Sequence, residues 1–173
     1  MHAAGHISEA LFAVGMTAAA VYDVRWRRIP NWLNLAIAIV GLGVQGIAQG
    51  AWGIGSGLAG GGIGLGLLLL PFAAGWMGGG DAKLAFAIGC WLGPKGALFA
   101  TLWGIAAGGV LALAFLAFGR RELRLDVKQN LTAALYLREL PSAPRRHNHE
   151  RVPLAVALGA AAVAVLWLGG IYA

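Results

Sequence analysis

Two carboxylates stand apart in a chain that is otherwise apolar nearly throughout. Asp81 follows Gly78-Gly79-Gly80 and precedes Ala82-Lys83; Asp23 closes an apolar stretch in Tyr22-Asp23-Val24-Arg25-Trp26-Arg27-Arg28-Ile29-Pro30-Asn31. An ionisable group in or beside a membrane segment is expensive to keep there, and by default it marks a functional site. Two carboxylates brought close together do not both ionise easily; they share a proton and titrate as a unit. The ionised member can take a proton from water while the protonated one donates to a peptide carbonyl, which is acid–base hydrolysis of an amide. That scheme uses no metal, thiol or serine, so neither a cofactor nor a metal is expected. The two acids are far apart in sequence, and only packing between helices can unite them.

The elements that would position them are membrane helices. The 173 residues are 59% hydrophobic and 12% charged, with a mean hydropathy of +0.73, whereas soluble domains carry roughly 25% charged residues. A spanning helix needs about 20 mainly apolar residues, which leaves room for about six spans and no sizeable extramembrane part. The expected fold is an all-α integral membrane bundle in a single domain, residues 1–173. Its transmembrane helices are expected at about 7–22, 32–49, 53–76, 82–93, 97–118 and 153–172, with a polar loop at 119–152. No Lys or Arg precedes Arg25, so the first helix lacks the basic start of a cleavable signal and is expected to be permanent.

Local chemistry supports these boundaries. Pro30 suits the first turn of a helix, where a missing N–H costs nothing. Trp26, Trp32 and Trp52 sit where interface anchors belong. Gly53, Gly57 and Gly61 recur every fourth residue, echoed by Gly60 with Gly64 and Gly62 with Gly66; small residues at that spacing let helices approach closely in lipid. The glycines at 78–80 interrupt the helix, and Asp81 is expected where the next one begins, beside free N–H groups. Within the loop, Leu123, Val127, Leu131 and Leu135 recur among basic residues, as in an amphipathic helix on the membrane surface.

The net charge of +6 does not point to nucleic acid, because the bases lie between apolar segments as topology determinants and contacts for anionic lipids. With the N-terminus outside, twelve of the 13 basic residues fall in cytoplasmic links, and Lys95 alone does not. The positive-inside rule therefore orients the chain and puts both Asp23 and Asp81 at the cytoplasmic edge.

Here the residues carry a resemblance. Gly78-Gly79-Gly80-Asp81 matches the Gly-x-Gly-Asp motif of intramembrane aspartic proteases, and Ala82-Lys83-Leu84 resembles its continuation in the type IV prepilin peptidases. Asp23, Arg25 and Ile29-Pro30-Asn31 resemble that family's first-aspartate motif. The resemblance implies a six-helix peptidase of the bacterial inner membrane, cutting the basic leader from prepilin or pseudopilin precursors with Asp23 and Asp81 as the catalytic pair. Gly78, Gly80 and Lys83 would shape the site. The larger members carry an added methylating part, commonly with paired cysteines; this chain has one cysteine, Cys90. It resembles the short, peptidase-only branch associated with tight-adherence (Flp-type) pili, for which no methyltransferase activity is expected. Where many relatives have Pro, an aromatic residue and Gly at the start of the last helix, this chain has Pro153-Leu154-Ala155.

Two other functions compete. Intramembrane acids also mark ion pathways in coupled transporters, although transport sites usually lie near the midplane between repeats, and no internal repeat is visible here. A non-catalytic subunit of a pilus or secretion assembly would use the aspartates structurally. Arg25, Arg27 and Arg28 read as topological. His147-Asn148-His149-Glu150 reads as a solvated loop rather than a metal site, and Glu9 as lying at the opposite face from the pair.

Overall fold

The computed structural model describes residues 2–73, 77–118 and 154–169. Four helices account for nearly all of them: α1 His2–Trp26, α2 Asn31–Ala73, α3 Gly79–Phe118 and α4 Leu154–Gly169. No strand occurs among the described residues. Three stretches, His6–Trp26, Asn31–Ala73 and Gly79–Ala114, are long and apolar enough to cross a membrane. The expected surface helix in 119–152, the His147–Glu150 stretch and the outer end of the last helix fall outside the described residues.

The 43 residues of α2 would make a straight helix of roughly 65 Å, about twice the hydrocarbon thickness of a bilayer. It folds back instead. Gly50 has φ 63° and ψ −144°, a combination open almost only to glycine. Beyond it the two limbs run antiparallel: Gly46 faces Ile54, Gly53 faces the Gln45 carbonyl and Gly57 faces Leu42.

Gly93, with φ 67° and ψ −173°, does the same for α3, and Pro94 opens the returning limb. Gly104 packs on Leu158 and Gly108 on Leu154, so this limb is antiparallel to α4. In turn α4 is antiparallel to α1, since Gly159 meets Met16 and Ala155 meets Asp23. The limbs meet at Gly50 and Gly93, close to where the expected helices 32–49 and 53–76, and 82–93 and 97–118, adjoin. Each pair is one element reversed at a single glycine, because one residue in that region redirects the chain without a loop. Gly50→Ala and Gly93→Ala are each expected to cost about 1–3 kcal/mol, measurable by thermal unfolding in detergent.

The first limb of α3 is the core: Leu84, Ala85, Ala87 and Cys90 have no exposed surface. It packs against the late limb of α2 with backbones touching, Gly60 on Gly89 and Gly64 on Ala85. Of the glycine pattern seen in the sequence, Gly53, Gly57, Gly60, Gly61 and Gly64 are buried, whereas Gly62 and Gly66 face open space. Only one face of the helix is a contact. Against the early limb of α2, the Trp91 indole N–H donates to the Ile37 carbonyl at 2.7 Å, and Gln45 Nε2 donates to the Trp91 carbonyl at 2.9 Å. These bonds satisfy polar groups in a setting where water is scarce. Outward surfaces are apolar, with Ile47 91% and Leu70 79% exposed, which suits lipid rather than water.

Candidate active site

Asp23 sits in the last turn of α1 and is 9% exposed. Its Oδ2 accepts a hydrogen bond from the Ala155 N–H at 3.2 Å. Ala155 belongs to the first turn of α4, where backbone N–H groups lack partners within the helix and attract negative charge. Ala155 therefore holds the first acid through its backbone. Its side chain is a methyl group with no exposed surface.

Four residues beyond Asp23 the chain turns. Arg27 N–H donates to the Asp23 carbonyl at 2.8 Å, with Arg27 at φ 53°, a left-handed conformation usually given to glycine at helix ends. An L-residue held there costs roughly 1–2 kcal/mol. The link then passes Ile29, which is buried and lies in ordinary contact distance of Gly80, to reach α2.

Asp81 lies two residues inside α3. The helix begins at Gly79, so the expectation that the glycine run ends before the helix is corrected: Gly79 and Gly80 form its first turn. The reason is that glycine disfavours helix only mildly at an end, and the bond from Asp81 N–H to the Gly78 carbonyl, 3.2 Å, closes a turn there. Asp81 is half-buried and, as an acid in the first turn, sits favourably in the helix dipole.

Cross-links join the two halves. Asn34 Nδ2 donates to the Gly80 carbonyl at 3.3 Å, and Lys83 Nζ donates to Asn31 Oδ1 at 2.8 Å. Both carboxylates consequently belong to one end of the bundle, the end formed by the α1–α2 link, the start of α3 and the start of α4. Lys83 ties α3 to the first residue of α2. Because this bond is exposed, Lys83→Met is expected to lower stability by no more than about 1 kcal/mol, checked by thermal unfolding. Tyr22, Trp26, Arg28, Ile29, Pro30 and Asn31 line a groove of about 350 Å³ beside the link. The Tyr22 ring packs on Trp26 at 4.8 Å and on Trp32 at 6.2 Å, while Arg25 lies over the Trp26 ring.

Glu9 pairs with His6 near the other end of α1, roughly 20 Å along the helix from Asp23. The sequence alone left Asn34 unremarked and marked Arg27 as mostly topological. A polar amide inside the apolar stretch 32–49 was the available signal, since such a group is costly in lipid unless bonded.

The fold and site thus define a polytopic helical bundle with two aspartates and a groove lined largely by aromatic and apolar groups gathered at one end. A sequence model of the type IV leader peptidase family matches residues 10–113, more than half of the chain and the region containing both acids. The chain belongs to this family, which makes it a protease of the membrane. No curated protein and no solved structure matches it.

Proposed function

We propose that the chain is an intramembrane aspartic endopeptidase that removes the basic leader from type IV prepilin or pseudopilin precursors, with Asp23 and Asp81 as the catalytic pair. The observation that carries this reading is the convergence of two acids from distant parts of the sequence on one end of the bundle. Asp23 commits Oδ2 to the Ala155 N–H and keeps Oδ1 for a water. The ionised acid takes a proton from that water as its oxygen attacks the scissile carbonyl carbon, and the other acid protonates the carbonyl oxygen. Collapse of the tetrahedral intermediate breaks the C–N bond, and the amine leaves with a proton returned from the pair.

In this reading each limb of α2 and α3 crosses the bilayer once, giving six crossings with α1 and α4. The N-terminus is outside, and the acids face the cytoplasm of the bacterial inner membrane. A substrate with a charged leader and a hydrophobic helix meets the bilayer at that depth. Anionic lipids contact the basic links, and the chain acts without methyltransferase activity, as in the Flp-type branch.

Leader cleavage in membranes tests the proposal: the chain is co-expressed with candidate precursors and product size is read on gels. Shortening by wild type that disappears on removing either acid supports it. A wild type that cuts none of several precursors, or solute movement without proteolysis, sinks it in favour of the assembly or transport roles.

A further inference from the structure

Two grooves on the surface of α1 meet at Tyr22. The groove beside the α1–α2 link, about 350 Å³, is lined at one end by Tyr22 and Trp26 and at the other by Arg28 and Asn31. A second, of about 500 Å³, runs along Ala13, Val14, Thr17, Ala18, Val21 and Tyr22. Its walls are two rows of side chains at four-residue spacing, which lie side by side on a helix. From Ala13 to Tyr22 they cover roughly 14 Å of helix. This second groove is apolar in practice, because the Thr17 hydroxyl donates to the Ala13 carbonyl at 2.7 Å and so carries no free donor.

The first groove differs in its polar groups. Arg28 is exposed and, among the described residues, has no hydrogen bond or ion pair. Asn31 commits Oδ1 to Lys83 Nζ, which leaves its side-chain N–H groups to bond. No carboxylate lines this groove, since Asp23 is buried against the Ala155 N–H. A cation and free donors without an acid are the chemistry of a phosphate site. Tyr22, Trp26 and the neighbouring Trp32 are the side chains that sit at head-group level in a membrane. A basic peptide leader is repelled by Arg28, and a free anion leaves the second groove empty. A phospholipid carries a phosphate joined to a hydrocarbon chain, and it fits the continuity at Tyr22. With no acid to meet an ammonium, the groove favours an anionic head group over a zwitterionic one. We propose that the two grooves form one site for an anionic phospholipid, its phosphate on Arg28 and Asn31 and one acyl chain along the Ala13–Tyr22 face of α1. This is a defined site rather than diffuse attraction of basic links to the membrane surface, and it does not depend on the peptidase reading. Ile29 lines the head-group end and lies within contact distance of Gly80, so a bound lipid braces the link against the start of α3.

The test uses the full chain in neutral detergent, titrated with phosphatidylglycerol, phosphatidylcholine or inorganic phosphate. Native mass spectrometry counts what is retained, and thermal unfolding is followed alongside. Wild type is expected to retain one phosphatidylglycerol and unfold at higher temperature with it, to hold phosphatidylcholine at least about 5-fold more weakly, and to gain nothing from phosphate alone. Arg28→Gln is expected to weaken phosphatidylglycerol about 10-fold, the worth of one charged hydrogen bond. Arg25→Gln removes the same charge from outside the groove, where Arg25 lies over the Trp26 ring, and is expected to change it by less than about 3-fold. Thr17→Leu substitutes an exposed position with a good helix former, so folding is preserved while the second groove is filled. It is expected to weaken both lipids about 10-fold, the burial of roughly two methylenes. The assignment is overturned if phosphatidylcholine is held as well as phosphatidylglycerol, or if phosphate alone stabilises as much. It also falls if Arg25→Gln weakens binding as much as Arg28→Gln, or if Thr17→Leu leaves both lipids unaffected. A dimer that Thr17→Leu separates gives the second groove to another copy of the chain instead. A precursor peptide retained without lipid by wild type but not by Thr17→Leu gives it to substrate, and either result removes the lipid.

Discussion

Asp23→Asn is expected to leave a folded protein whose cleavage rate falls about 10²–10⁴-fold, the range for losing a general acid or base. Folding survives because the one hydrogen bond that Asp23 Oδ2 accepts, from the Ala155 N–H, is equally available to an amide oxygen. Asp81→Asn is expected to do the same, since it keeps the side-chain volume in the first turn of α3 and forfeits only a modest dipole interaction of about 0.3–1 kcal/mol. Residues that act as a unit are non-additive, so the double variant should be little slower than either single one. Rates are measured on a purified precursor at matched enzyme levels, with thermal unfolding of each variant alongside. A single variant that keeps more than about a tenth of wild-type activity would remove that aspartate from the proposed pair.

The second large effect lies in the packing that brings the acids together. A Cβ added at Gly60 would meet the Gly89 and Gly93 backbones, and one added at Gly89 would meet the Gly60 backbone. Backbone cannot swing aside as a side chain does. Gly60→Ala and Gly89→Ala are therefore expected to cost about 1–3 kcal/mol, and leucine at either position more, enough to abolish assembly of a marginally stable bundle. Gly62 and Gly66 belong to the same glycine-rich helix but have nothing within 4 Å, so alanine there is expected to change stability by less than about 0.5 kcal/mol. Unfolding in mixed detergent micelles separates the two classes. Equal effects at Gly60 and Gly62 would contradict the observed face.

These expectations divide along the line between local and tertiary information. Apolar composition marked the chain as a membrane protein, because burying so few charges and so much hydrocarbon is stable only in lipid. Asp23 and Asp81 were visible because each is an expensive residue in its setting; Gly50 falls between two expected helices and Gly93 closes one, because apolar stretches cannot exceed the bilayer by a factor of two without turning. What sequence spacing did not contain is which glycine face packs. Gly60 and Gly62 are chemically identical, and only the position of Gly89 distinguishes them.

The same holds for the site. Asn34 and Arg27 read as an unremarked polar residue and a topological charge, since a side chain's partners depend on what lies across the helix boundary. Gly80 is 46 residues from Asn34, and Ala155 is 132 from Asp23. Chain-local patterns specify which residues are costly to bury, whereas a hydrogen bond over such separations exists only after the limbs have reversed and packed. The spread of basic residues already assigned the link 27–30, the start of α3 and the loop before α4 to one membrane face; the tertiary fold alone decided that Asn34 bonds Gly80 and Ala155 bonds Asp23.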